Sequence, residues 1–211
     1  MKKIKFNINI AKHISDNFWF YILSLMAIST GLVLALYVVK YMGSSNQEAV
    51  TKYFESFTYN FNNETFNSAE IFMEAIKSNI FYIIFIWLLG IAAIGIPFIL
   101  ILDFIKGFTL GFSLSFIMLG LKTQGIWVGL LGIMPQNIIF IPCILVGSAI
   151  AMKFSADKLK NKLNRRIIEN FGVKFYNYTI GYIFIIFIMI IGFLYQAYIS
   201  PPIIKALIAR L

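Results

Sequence analysis

The sequence predicts an all-α integral membrane protein with about five transmembrane helices. Of its 211 residues, 60% are hydrophobic and only 13% are charged, whereas soluble domains have about 45–50% apolar and about 25% charged residues. The apolar residues form runs long enough to span a bilayer, and they do not alternate with polar residues as in a transmembrane β-barrel. Because lipid offers the backbone no hydrogen bonds, each run is expected to be a helix.

Five apolar segments within a single membrane domain, residues 1–211, are the predicted spans. A basic leader, residues 1–17, precedes the first span. That span is too long for a signal peptide and lacks a small-residue cleavage site, so we interpret it as an uncleaved anchor. The third span carries Lys106 near its start, where the amine can extend to the interface. The five spans are 18–41, 80–102, 104–121, 126–152 and 178–198.

The basic residues predict the orientation of these spans. The leader contains four lysines and the loop 153–177 contains seven basic residues, whereas the loop 42–79 contains five glutamates and two lysines. Lysine and arginine favour the cytoplasmic side, so the N-terminus and the loop 153–177 are predicted inside and the acidic loop outside. The remaining connections follow, with the Asp103–Lys106 turn inside, and the Lys122–Gly125 turn and the tail 199–211 with the C-terminus outside. A re-entrant hairpin of the second and third spans is disfavoured, because it would change the side of the basic loops.

The outer loop contains aromatic residues at helical spacing. They are Tyr53, Phe54, Phe57 and Phe61. This face is either a candidate partner surface or a surface that packs on the protein's own helices or the bilayer, and packing is the interpretation that we favour. Further along, Asn67 and Glu70 indicate the start of a helix that leads into the second span.

The inner loop 153–177 has the features of a lipid-bound surface helix. Leu159, Leu163 and Ile167 are spaced by four among basic residues, which suits contact with the anionic inner leaflet. Binding to nucleic acid is not expected, because the basic cluster is no larger than the bias toward the cytoplasmic side explains.

The residue types needed for catalysis are sparse, and no catalytic, cofactor or metal site is predicted. The only histidine, His13, lies in the leader, and the only cysteine, Cys143, lies in an apolar stretch where inert packing is expected. Ser113 and Ser115 are expected to have no histidine or lysine at membrane depth that could activate them.

Asp103 is a lone carboxylate between the second and third predicted spans. A lone carboxylate is not an acid–base pair. Because Asp103 falls at a predicted membrane edge beside Lys106, we expect an interfacial ion pair.

The fourth span is predicted to be broken. Proline removes a backbone donor, and the span contains Pro135, Gln136, Asn137 and Pro142. The two amides can bond to the freed carbonyls or to a neighbouring helix. Broken helices mark binding sites in transporters, which keeps a permease as an alternative, although the chain shows one clear break and no inverted repeat of it.

Small residues predict close helix packing in the third span. Gly107, Gly111 and Ser115 recur every four residues, a pattern that lets two helix backbones approach. The neighbour is expected to be a helix of the same chain, with a second subunit in a homo-oligomer as the alternative.

The whole chain resembles the stage II sporulation protein M family. A basic leader, one anchor, an acidic outer loop and four closely following helices form the shared pattern. The most specific stretch runs from Gly132 to Pro142 and is similar to the proline-centred motif of that family's penultimate helix. Wider relatives have Pro-His-Gly, with a glutamate three residues beyond the glycine. Here Gln136, Asn137 and Phe140 occupy those places, as in the sporulation branch.

The resemblance implies a non-enzymatic membrane scaffold of endospore-forming bacteria. Such a protein acts in the mother-cell membrane at the sporulation septum and during engulfment. It recruits two peptidoglycan-degrading enzymes, stage II sporulation proteins D and P, and itself cleaves nothing. A permease, or a permease-like subunit served by a separate ATPase, is the alternative function.

Overall fold

The computed structural model describes residues 14–63, 67–163 and 171–208. The predicted leader up to His13 and residues 164–170 of the loop predicted to face inside, with Ile167, lie outside the described residues. All regular structure in the described ranges is helical, so the prediction of an all-α polytopic protein is confirmed. The helices are α1 (Phe18–Lys40), α2 (Ser44–Asn63), α3 (Ser68–Ile91), α4 (Gly95–Trp127), a π-helical segment (Val128–Ile133), α5 (Met134–Leu163), α6 (Phe171–Leu194), a second π-helical segment (Tyr195–Ile199) and α7 (Ser200–Ile208).

Four continuous helical stretches are long and apolar enough to cross a membrane. They are Phe18–Lys40, Ser68–Ile91, Gly95–Leu163 and Phe171–Ile208. The third stretch has 69 residues, whereas one crossing needs about 20. It folds back on itself at Lys122, whose φ of 49° lies in the left-handed region. After this fold-back the chain returns along the first part of the helix, and Gly125 lies against Ile117. The fold-back falls at the start of the predicted Lys122–Gly125 turn.

The helices alternate in direction through the bundle. α1, the first arm of α4 (95–121) and α6 run one way, while α3 and the return arm (123–163) run the other way. Alternating directions are what five passes would require, while the number of passes and their sidedness stay predictions. The contacts that fix the directions are Ser24–Asp103 with Ile28–Gly107, Asp103–Ser148 with Leu114–Gly129, Gly147–Tyr182 with Leu131–Tyr195, and Trp87–Tyr178 with Phe72–Tyr198.

The predicted boundary between the second and third spans is wrong. α3 ends at Ile91 and α4 begins at Gly95, so the turn lies at 92–94 and the Asp103–Lys106 segment is the interior of a helix. Two side chains of α5 bind this turn: Ser155 Oγ donates to the Ala92 carbonyl at 2.7 Å, and Lys158 Nζ donates to the Ile91 carbonyl at 2.7 Å. These bonds satisfy backbone groups that a helix end leaves free.

The buried hydrophobic residues form two clusters in different parts of the bundle. The larger one lies mainly between α3, α5 and α6 and includes Phe193, Met189 and Cys143. Cys143 is buried there as a free thiol. The smaller cluster joins α2 to the end of the first arm of α4 through Val50 and Phe54. α2 is therefore fixed against the bundle rather than extended away from it.

Candidate functional site

The glycine stripe of α4 lies against α1 of the same chain. A Cβ added at Gly107 would overlap the Ile28 carbonyl, and one added at Gly31 would overlap the Phe104 carbonyl. Gly111 lies beside Leu32 in the same contact, and Ser115 Oγ donates to the Gly111 carbonyl at 2.8 Å. Helix backbones in such direct contact leave no room for a side chain. The stripe is thus occupied within the chain.

Asp103 lies inside the bundle, so the predicted interfacial ion pair is wrong. Its side chain is 0% exposed, because α4 begins eight residues earlier at Gly95. Ser24 Oγ donates to Oδ2 at 2.6 Å, and Ser148 Oγ donates to Oδ1 at 2.7 Å. Both carboxyl oxygens therefore have partners, and the three side chains join α1, the first arm of α4 and α5.

Lys106 points to a different set of residues. Its amine donates to Asn79 Oδ1 of α3 at 2.9 Å and lies 5.5 Å from the centre of the Tyr82 ring. The predicted extension of this side chain to the interface is wrong, because the residue lies in the middle of α4. The expectation that no lysine lies at membrane depth is wrong for the same reason.

The fourth span is not broken at Pro135. α5 is helical from Met134 to Leu163 with Pro142 inside it, and the π-helical segment Val128–Ile133 precedes it. In an α-helix the missing donor of Pro135 would leave the Leu131 carbonyl free. Tyr195 Oη donates to that carbonyl at 2.7 Å, so the helix continues without an unsatisfied group there.

The neighbouring carbonyls of the first π segment are bound in the same way. Ser200 Oγ donates to the Gly132 carbonyl at 2.7 Å, and Asn137 Nδ2 donates to the Ile133 carbonyl at 2.9 Å. The second π segment, Tyr195–Ile199, also precedes prolines, at Pro201 and Pro202. Side chains thus replace backbone donors where the two π-helical segments meet.

A cavity of about 270 Å³ lies between α3, α4, α5 and the second π segment. Eight of its eleven lining residues have polar side chains, and one of these, Lys106, is charged. Gln136 Oε1 is buried and has no hydrogen-bond partner among the described residues. The lining residues are Ser78, Asn79, Lys106, Thr109, Leu110, Ser113, Ile133, Gln136, Asn137, Phe140 and Gln196.

The predicted aromatic face of the outer loop divides into different environments. Phe54 is 6% exposed and its ring lies on Gly120, whereas Tyr53 is 59% exposed. Phe54 is therefore removed from the candidate partner surface, in agreement with packing on the protein's own helices. The side chains of Phe57 and Phe61 lie outside the described residues.

A groove of about 660 Å³ separates α2 from the end of the first arm of α4. Its polar lining includes Glu48 and Lys52 from α2 and Lys122 at the fold-back of α4. The described parts of the chain contain no group of three histidine, cysteine, aspartate or glutamate residues that could hold a metal ion.

Sequence reasoning missed three polar residues that the structure brings to these sites. Ser24 and Ser148 bind Asp103, and Asn79 binds Lys106. The available signal was a polar side chain within an apolar run, since such residues usually face the interior of a bundle. The prediction placed Asn79 just outside the second span, because the hydrophobic run was taken to begin at Ile80.

Comparison with known protein families matches residues 24–201 to the model described as "Stage II sporulation protein M". The match covers both polar sites, both π segments and α2. Comparisons with curated proteins and with solved structures give no significant match.

Proposed function

The chain belongs to the stage II sporulation protein M family, and from that premise we propose that it is a non-enzymatic scaffold for engulfment during endospore formation. The family match confirms the resemblance and makes the chain a sporulation-related multi-pass membrane protein. In the proposed role it sits in the mother-cell membrane at the septum. There it recruits and localises the peptidoglycan-degrading stage II sporulation proteins D and P.

The family match is the observation that carries this proposal. The hydrogen bonds of two buried polar side chains, Asp103 and Asn137, support it. Asp103 has both oxygens bound by serine hydroxyls, and Asn137 binds a backbone carbonyl. A catalytic carboxylate needs an oxygen that can reach substrate. The hydrogen bonds of Asp103 instead hold three helices together, as a scaffold requires.

The outer helix α2 supplies a surface for the recruited enzymes. Phe54 fixes the helix on Gly120, while Glu48 and Lys52 are exposed at the groove and Tyr53 is exposed on the same helix. A helix held by its apolar face presents its polar face in a defined orientation, which lowers the entropic cost of binding. α2 lies in the loop predicted to face the cell wall, where those enzymes act.

A mild-detergent pull-down from sporulating cells tests the proposal. The native chain is compared with the triple variant Glu48→Ala, Lys52→Ala and Tyr53→Ala, which leaves Val50 and Phe54 in place. The matched control is Lys153→Ala with Asp157→Ala, an exposed ion pair on α5. We expect the two wall-degrading enzymes with the native chain and the control, and a loss of at least about tenfold with the triple variant. Absence of both enzymes from the native sample would contradict the scaffold.

The permease alternative has one specific observation in its favour. Gln136 and Asn137 line the polar cavity inside the bundle, as a solute pathway through the fourth span would require. Recovery of an ATPase subunit in place of the two enzymes would favour this alternative. Solute flux in vesicles that is lost in Gln136→Leu would then establish it.

A further inference from the structure

The cavity around Lys106 places a positive charge deep in the bundle. Lys106 is 11 residues from the start of α4 and 16 residues from the fold-back at Lys122, which correspond to about 17 Å and about 24 Å of helix. These distances place the amine near the middle of a hydrocarbon layer of about 30 Å. An isolated cation at that depth is costly, and such residues are usually paired.

The described partners of Lys106 are neutral: the side-chain amide of Asn79 and the ring of Tyr82. One of its three donors goes to Asn79 Oδ1. No carboxylate of the described residues forms an ion pair with it. Asp103, one helical turn away, already binds Ser24 and Ser148. Among the described residues the ammonium therefore has an amide and an aromatic ring as partners and no carboxylate to balance its charge.

The rest of the lining suits an acidic group as well. Gln136 and Gln196 reach the cavity with side-chain amides, which can each donate two hydrogen bonds. The amide of Gln136 leaves its oxygen without a partner among the described residues. Because amide oxygen and nitrogen are interchangeable by rotation, this group can turn its donors toward an acceptor in the cavity.

The mouth of the cavity is at the side of the bundle. Ser78 of α3 and Thr109 of α4 line the cavity and are exposed. Their hydroxyls bind carbonyls of their own helices, Ala75 and Ile105, so they do not need water. Small side chains of this kind allow another helix to approach closely.

We propose that the Lys106 cavity receives a carboxylate from a transmembrane helix of a different protein, which docks between α3 and α4. A second copy of this chain is a poor source, because Asp103 is fully enclosed. The other acidic residues of the described spans, Glu70, Glu74 and Asp157, lie within six residues of a helix end and not near the depth of Lys106. The charges are complementary, and pairing removes the cost of leaving both ions alone in lipid. The inference deepens the proposed function, since the docked helix would belong to a recruited membrane protein.

Photo-crosslinking in membranes of sporulating cells tests the proposal. A photoreactive phenylalanine derivative replaces Thr109 at the mouth, in the full chain with native Lys106, Lys106→Met or Lys106→Arg. Lys77→Met, which removes an exposed lysine of α3 beside Ser78, is the matched control. We expect one protein adduct, reduced at least about tenfold by Lys106→Met and kept within about twofold by Lys106→Arg and by Lys77→Met. Equal amounts in the membrane and equal elution in size-exclusion chromatography exclude misfolding.

The identity of the adduct completes the test. Its membrane span must contain an aspartate or glutamate whose replacement by leucine removes the adduct. Lys106→Glu combined with lysine at that acidic position must restore it. Adducts with lipid alone or with a second copy of the chain, adducts with a span without a carboxylate, or adducts insensitive to Lys106→Met would each overturn the proposal.

The two proposals fail separately. If the wall-degrading enzymes are recovered equally with Lys106→Met and no adduct depends on Lys106, the scaffold stands and the docking site falls. If an acidic membrane helix is crosslinked but those enzymes are not recovered, the docking site stands and the proposed partners are wrong.

Discussion

Asp103 and Lys106 are three residues apart on α4, about 60° apart around the helix, and their surroundings differ completely. Asp103 faces the contact between α1 and α5, where two hydroxyls bind both of its oxygens. Lys106 faces a cavity, where one amide oxygen binds its amine. The comparison teaches that two charged residues on one helix can differ in how completely their own chain binds them: both carboxyl oxygens of Asp103 accept hydrogen bonds, whereas the Lys106 amine donates one.

Removing both serines should have the largest effect on stability. Ser24→Ala with Ser148→Ala leaves the enclosed carboxyl without donors. Hydrogen bonds to charged groups contribute about 1.5–3 kcal/mol each, and bonds between membrane helices fall toward the low end. We expect the free energy of unfolding in mixed micelles to fall by about 3 kcal/mol. The control Ser45→Ala changes an exposed serine of α2. Equal stability of the double variant and the control would show that the Asp103 site does not hold the helices.

Gly107→Ala should have the next largest effect. The new methyl group would overlap the Ile28 carbonyl, a backbone atom that cannot move alone. Overpacking of this kind costs about 1–3 kcal/mol, and we expect about 2 kcal/mol. Gly172→Ala is the matched control, because its methyl group would meet nothing within 4 Å. A melting temperature in detergent that is unchanged for Gly107→Ala would contradict the direct contact of α1 with α4.

Tyr195→Phe should cost about 1 kcal/mol, since it removes the donor to the Leu131 carbonyl and keeps the ring. Tyr37→Phe, an exposed tyrosine on α1, is the control. Adding Pro135→Ala restores a backbone donor for that carbonyl, so the two substitutions should be less than additive. Fully additive losses of unfolding free energy would argue against the interpretation that the Tyr195 hydroxyl replaces the backbone donor that Pro135 lacks.

Lys106→Met should have the smallest effect on the isolated protein, below about 1 kcal/mol. Loss of the bond to Asn79 is offset by relief of an unpaired cation in the bundle. The measurement is the same micelle titration. A loss as large as that of the double serine variant would mean that Lys106 is a structural residue like Asp103, and the contrast between the two sites would disappear.

The sequence predicted the class of fold because apolar run length is a direct requirement of the bilayer. It did not place the turn at 92–94, since Ile91 to Ile94 is as apolar as the helices beside it. The signals were Gly95 and Pro97, because proline is tolerated in the first turn of a helix. A boundary error of about ten residues moved Asp103 and Lys106 from the bundle interior to the interface, which explains the wrong ion pair.

The proline segment illustrates the other limit of sequence reasoning. The missing donor of Pro135 was evident from the residue type, and a role for Asn137 in binding a carbonyl was foreseen. Tyr195 and Ser200, which bind the Leu131 and Gly132 carbonyls, come from more than 60 residues further along the chain. Long-range compensation of this kind depends on how helices are arranged, so the break predicted from local sequence became a continuous helix.

The contact between α1 and α4 has a consequence for synthesis of the protein. Ser24 and Asp103 are separated by 79 residues, and bacterial chains grow by about 5–20 residues per second. Ser24 is therefore synthesised about 4–16 seconds before the residue that it binds. During that interval Ser24 and Gly31 of α1 face lipid or the insertion machinery. The packing of α1 in the bundle therefore cannot be completed until α4 has been made.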